Sequence, residues 1–97
     1  MVHILSISTN RETLRILDRL VNQNEAWTGL PAPDFASAKA LLVEHDFDLA
    51  LIGSGISAWE QEALAELVVE TGKKTKLVPH FGGGSGLLYA EIAQALD

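Results

Sequence analysis

Three groups of small polar residues could bind a ligand or do chemistry in this 97-residue chain. They are Ser8 with Thr9; Gly53, Ser54 and Gly55; and Gly82, Gly83, Gly84, Ser85 and Gly86, which follow His80 and Phe81. Glycine lets a backbone close on an anion, so the third group could wrap a phosphate with its amides. It lacks the lysine that completes a P-loop, and a turn crossing the end of a sheet accounts for the same residues. The run Gly53-Ser54-Gly55-Ile56-Ser57-Ala58 matches a relaxed dinucleotide fingerprint. That fingerprint also needs an acidic residue about 20 positions on for the ribose, and Lys73 to Lys76 occupy the region here. A tight turn before a capped helix explains it better. None of Ser8, Ser54, Ser57 or Ser85 sits in a Gly-x-Ser-x-Gly elbow, which argues against a serine nucleophile. His3, His45 and His80 are widely spaced, a poor pattern for a metal site. Only His80 falls beside the glycine groups, where an imidazole could exchange protons near neutral pH or simply end a strand.

Composition narrows the function classes. Seven Lys and Arg against thirteen Asp and Glu leave a formal charge of −6, the wrong sign for a nucleic-acid partner. There is no cysteine, hence no disulfide framework and no thiolate metal site. No basic stretch leading into a long apolar run opens the sequence, and no segment approaches the roughly 20 apolar residues of a membrane span. The expectation is one cytoplasmic domain over 1–97, with no membrane contact and no cofactor, burying about 60 to 70% of its unfolded surface.

Four short apolar runs alternate with four helical patterns, and these must position the three polar groups. Val2 to Ile7 reads as a buried strand stopped by Ser8, Thr9 and Asn10. Thr9 and Glu12 have capping-box spacing, predicting a helix that buries Leu14, Leu17 and Val21 and ends near Asn22. Arg11, Arg15 and Arg19 recur on another face of it, with Glu12 and Asp18 interleaved. They read as a solvated face, or as a receiver for an acidic partner. Ala26 to Leu30 precedes Pro31 and Pro33 and reads as a short outer strand. Asp34 can cap a helix burying Ala38, Leu41 and Leu42 and running to His45. Leu49 to Ile52 is continuously apolar, as a central parallel strand should be. Ser57 and Glu60 repeat the capping-box spacing ahead of a helix to Thr71, which Gly72 closes, with Lys73 and Lys74 facing its negative end. Lys76 to Phe81 is a strand whose Pro79 predicts an edge. A last helix covers Leu87 to Leu96. This alternation predicts a three-layer α/β/α fold with a four-stranded parallel sheet of order 2-1-3-4. The three polar groups then meet at the carboxyl ends of the strands, where such sheets bind ligands.

Ser37-Ala38-Lys39-Ala40-Leu41, and Glu44-His45-Asp46-Phe47-Asp48-Leu49-Ala50-Leu51-Ile52 after it, resemble the second helix and third strand of response-regulator receiver domains. The opening Ile4-Leu5-Ser6-Ile7-Ser8-Thr9-Asn10 is similar to their first strand. The resemblance spans about the first 60 residues and implies a flavodoxin-like fold, here a shortened (βα)4 form. It also implies a phosphoacceptor aspartate after the third strand, an acidic Mg²⁺-binding pair after the first, and a hydroxyl and a lysine after the last two. Those positions fall on Gly53, on Ser8 and Thr9, and near Phe81, and no residue matches the lysine. Mg²⁺ requires hard oxygen ligands, and neither glycine nor a pair of hydroxyls replaces carboxylate charge. The resemblance therefore implies a degenerate, truncated pseudo-receiver.

Two functions remain in view. The leading expectation is a non-enzymatic signalling or protein-interaction module that binds a protein partner or itself. Its candidate contacts are Trp59, an aromatic anchor at the start of the third helix, and Leu87, Leu88, Tyr89 and Ile92, more apolar surface than one helix stripe needs. The alternative is a small anion- or nucleotide-binding protein using Ser8, Thr9, Ser54, Gly55, Gly82, Gly83, Gly84 and Ser85. A chain of this size could also be a subunit stabilised by a separate partner.

Overall fold

Each of the four apolar runs forms a strand and each is followed by a helix: β1 (Val2–Ile7), α1 (Arg11–Asn22), β2 (Trp27–Ala32), α2 (Phe35–Glu44), β3 (Leu49–Ile52), α3 (Ala58–Glu70), β4 (Lys76–Pro79) and α4 (Ser85–Leu96). This computed structural model describes residues 1–80 and 85–96, without the side chains of residues 85–87. Phe81, Gly82, Gly83 and Gly84, and the side chains of Ser85 and Leu87, lie outside the described residues. Among the described residues no helix is long and apolar enough to cross a membrane.

The strands form one parallel sheet in the order β2-β1-β3-β4, a flavodoxin-like arrangement. All four residues of β3 are buried, because helices cover both sides of the inner strands. Leu5, Ile7, Ala50 and Ile52 point to one face and pack with Ala38 and Leu42 of α2 and Leu64 and Val68 of α3. Ile4, Leu49 and Leu51 point to the other and pack with Leu17 and Val21 of α1 and Leu88 and Ile92 of α4. Right-handed crossovers place the helices this way when the chain reverses direction after its second strand. Pro31 and Pro79 both lie in strands, paired with Ser6 and Ile52 respectively. Both strands are edges, where a missing N–H costs no ladder bond on the open side.

Several boundaries differ from expectation for local reasons. Asn10, not Thr9, caps α1, its side chain accepting the Thr13 amide at 3.0 Å. The Thr9 amide instead donates to the Ser54 carbonyl at 3.1 Å, which draws Thr9 into the neighbouring loop and moves the cap one residue on. β2 starts at Trp27 and continues through Pro31 to Ala32, since the edge position accepts the proline. α4 begins at Ser85, two residues before the expected start. Asp34 and Ser57 cap α2 and α3 as expected, Ser57 and Glu60 forming a reciprocal box. Gly72, at φ +71, ends α3 as expected. The Gly72 amide donates to Val69 and the Lys73 amide to Val68, each at 3.1 Å, the bond pair of a Schellman motif. The Lys73 side chain does not serve α3. Its ammonium donates to the carbonyls of Val43 at 3.0 Å and His45 at 2.7 Å, at the end of α2, and pairs with Asp46 at 3.1 Å.

Candidate functional site

At the carboxyl ends of β1 and β3, two loops are bonded to each other. Ser8 is fully buried; its hydroxyl donates to the Ser54 carbonyl at 2.9 Å and accepts the Asn10 amide at 3.1 Å. The Ser8 and Ser54 hydroxyl oxygens are 3.3 Å apart. The Gly53 amide donates to the Ile7 carbonyl at 2.7 Å. Gly55 has φ +89, and a Cβ there would lie 1.6 Å from the Thr9 hydroxyl oxygen. Thr9 thus occupies the space a side chain at 55 would need.

This geometry bears directly on the candidate anion site. Of its members, Ser8 gives its hydroxyl proton and Thr9 its amide to the one Ser54 carbonyl, so these two donors are spent between the loops and not turned to a ligand. Ser54 and Gly55 remain exposed at the surface. Gly82, Gly83 and Gly84 lie outside the described residues, as does the Ser85 side chain. At Gly53, where the receiver phosphoacceptor would fall, a Cβ would meet the Ile7 carbonyl oxygen at 3.1 Å, Ser8 Cβ at 3.2 Å and Leu17 Cδ1 at 3.3 Å. A side chain of any kind requires those neighbours to yield. Phe81, the remaining receiver-matched position, lies outside the described residues. Among the described residues no group of three or more His, Cys, Asp or Glu comes together to hold a metal ion.

A histidine–carboxylate pair stands close by. His80 Nδ1 is 2.7 Å from Glu91 Oε1, with side chains 7% and 21% exposed. A carboxylate on one ring nitrogen orients an imidazole and fixes its tautomer. Glu91 escaped the sequence reading because it lies eleven residues downstream, on the following helix. Only the packing of α4 against β4 reveals it.

The candidate interface residues separate into two sets. Trp59 is 65% exposed, with its ring 5.5 Å from that of Phe35, edge to face. The Lys39 ammonium stands 5.1 Å over the Phe35 ring, so a small aromatic and cationic cluster bridges the first turns of α2 and α3. Leu88 and Ile92 are core residues, not surface anchors, because α4 completes the layer begun by α1. Tyr89 is half-buried, its ring 5.5 Å from Trp27 and its hydroxyl donating to the Leu20 carbonyl. The Leu87 side chain lies outside the described residues. Leu88 and Ile92 thus leave the candidate docking surface, Tyr89 keeps part of its side chain at the surface, and Trp59 remains exposed.

Two carboxyls are displaced from their ordinary ionisation. Partial burial pushes Asp18, on α1, up, opposed by its hydrogen bond from Asn22. The Ser37 amide, and then its side chain, hold Asp34 below the usual carboxylate range.

No protein-family model matches the chain, and no curated protein matches it by sequence. Among solved structures it is similar to a Burkholderia pseudomallei protein provisionally named pilus assembly-related. The two are 18% identical with a TM-score of 0.62, over 98% of this chain and 72% of that one. Likeness at that identity shows the fold alone.

Proposed function

We propose that this chain is a non-enzymatic, receiver-like module that works in the cytoplasm by binding a protein partner or another copy of itself. The observation that carries this is the interlock of Ser8 and Thr9 with Ser54 and Gly55. It fills the place where a receiver would gather its phosphoacceptor and its Mg²⁺ carboxylates. Phosphoryl transfer depends on positioned charge to stabilise the transferring group, and the matched residues Ser8, Thr9 and Gly53 carry none. An exposed tryptophan beside a lysine and a phenylalanine supports contact with protein, since aromatics anchor interface hot spots. The name of the Burkholderia neighbour, pilus assembly-related, is a reason to look for partners among pilus-assembly components.

Amide NMR spectra during successive additions of Mg²⁺, inorganic phosphate, a small phosphodonor and common nucleotides test this reading. Unchanged positions for Ser8, Thr9 and residues 53–55 are expected, with no mass gain of one phosphoryl group. Covalent phosphorylation of an aspartate, or saturable shifts centred on those residues, would overturn it in favour of a phosphoacceptor or an anion-binding protein.

A further inference from the structure

The chain carries a net charge of −6, yet all three of its arginines, Arg11, Arg15 and Arg19, stand exposed on α1. On the opposite face of the sheet, α3 exposes Glu62, Glu66 and Glu70. Each set repeats every fourth residue over eight positions, about 12 Å of helix at 1.5 Å per residue. The two stripes therefore share sign-complementary charge and the same pitch. The ion pairs among the described residues are Lys73–Asp46 and His80–Glu91, so none of these six groups is neutralised by a described neighbour.

Each stripe also borders apolar surface that folding leaves uncovered. Ile16, beside the arginines, is 39% exposed; Val69 and Trp59, beside the glutamates, are 78% and 65% exposed. An arginine stacks well on an open tryptophan face. One charge opposes the pattern on α1, Glu12, which is exposed within the arginine face. Asp18 is half-buried and engaged by Asn22.

We propose that copies of this chain associate head to tail, the arginine face of α1 on one copy seating on the glutamate face of α3 on the next. This rests on the interaction-module reading and gives it a surface and an occupant. α1 and α3 cover opposite faces of one sheet, so the contact is heterologous and each copy keeps one face free for the next, extending into a filament or a ring of several copies. A single helix face supplies less than the roughly 800 Å² per partner of a stable complex. The association is accordingly weak, concentration-dependent and sensitive to salt.

Sedimentation of the whole chain from micromolar to millimolar concentration tests it. In low salt the average mass should rise past that of a dimer, and in 1 M salt, with a Debye length of about 3 Å, affinity should fall on the order of tenfold. One variant combines Arg11→Glu, Arg15→Glu and Arg19→Glu; the other combines Glu62→Lys, Glu66→Lys and Glu70→Lys. Each alone should remain monomeric, and mixing them should restore association through one native and one reversed junction. Circular dichroism checks folding, and the single changes Arg15→Glu and Glu66→Lys replace any triple variant that fails to fold. A wild-type chain that stays monomeric at millimolar concentration in low salt overturns the proposal. So does assembly that stops at two copies, or that neither reversal weakens; this last result would leave the interaction-module reading standing. Failure of that reading shows separately, as phosphorylation or ligand-induced shifts at the strand ends.

Discussion

His80, one residue past β4, holds its Nδ1 2.7 Å from the carboxylate of Glu91 on α4. Lower on the same strand, the Lys76 ammonium donates to the Ala95 carbonyl near the end of that helix. The last helix is thus fastened to an edge strand at two levels. Replacing Glu91 by Ala leaves a nearly buried imidazole without its partner, at a cost of about 1–3 kcal/mol. Denaturant melts should register the loss, and amide exchange should quicken first along α4. Unchanged stability would mean that the pair does not hold the helix.

Gly55→Ala places a Cβ on the Thr9 hydroxyl and forces an L-residue to φ +89. We expect a loss of at least about 2 kcal/mol. In a double-mutant cycle with Thr9→Gly, part of that loss should return, because removing the Thr9 side chain relieves the collision but not the backbone strain. Additive losses would show that the two loops are not interlocked in solution.

Ser6 is fully buried in β1 and its hydroxyl has no hydrogen-bond partner among the described residues. A buried unsatisfied hydroxyl costs about 1–3 kcal/mol relative to an apolar group of similar shape. Ser6→Ala should therefore raise the denaturation midpoint, corresponding to about 1 kcal/mol. A lower midpoint would show that the hydroxyl is satisfied after all.

Asp34 binds its proton more weakly in the folded chain than in the unfolded one, because its carboxylate accepts the Ser37 amide. Its contribution to stability is therefore present above the unfolded carboxylate value of about 3.9. It is lost as pH falls through the lower folded value. Asp34→Asn keeps a good cap without the charge. The wild type should be more stable than this variant at neutral pH, and the gap should close in acid. Asp18 runs the other way, its raised folded value making ionisation costly once pH exceeds it. Comparison with Asp34→Asn isolates the first effect.

What was legible in the sequence was whatever a few neighbouring residues decide. The caps Asp34 and Ser57 and the glycine stop at 72 each act within a turn, Pro79 and the prolines after Leu30 marked outer strands, and the alternation of strands and helices, with crossovers reversing after the first, gave the sheet order. The rest needed neighbours that only folding supplies. Thr9 lost its cap role to Asn10 because Ser54, 45 residues downstream, claims its amide. Leu88 and Ile92 passed for an interface because nothing local tells a helix that completes a core from one that waits for a partner. Of the candidate site, the positions of Ser8, Gly53 and Ser54 at one sheet end were readable. Their mutual hydrogen bonding and the His80–Glu91 pair were not.

Lys73 closes α3 with its backbone amide and α2 with its side chain. One residue therefore terminates two helices, both on the same side of the sheet, and neutralising its amine by acetylation should fray α2 without unwinding α3. Amide exchange would quicken at residues 42–45 and stay slow at 68–71. The α1–α4 layer, with the sheet between, would be untouched, so this fold can be loosened on one side while the other keeps its shape.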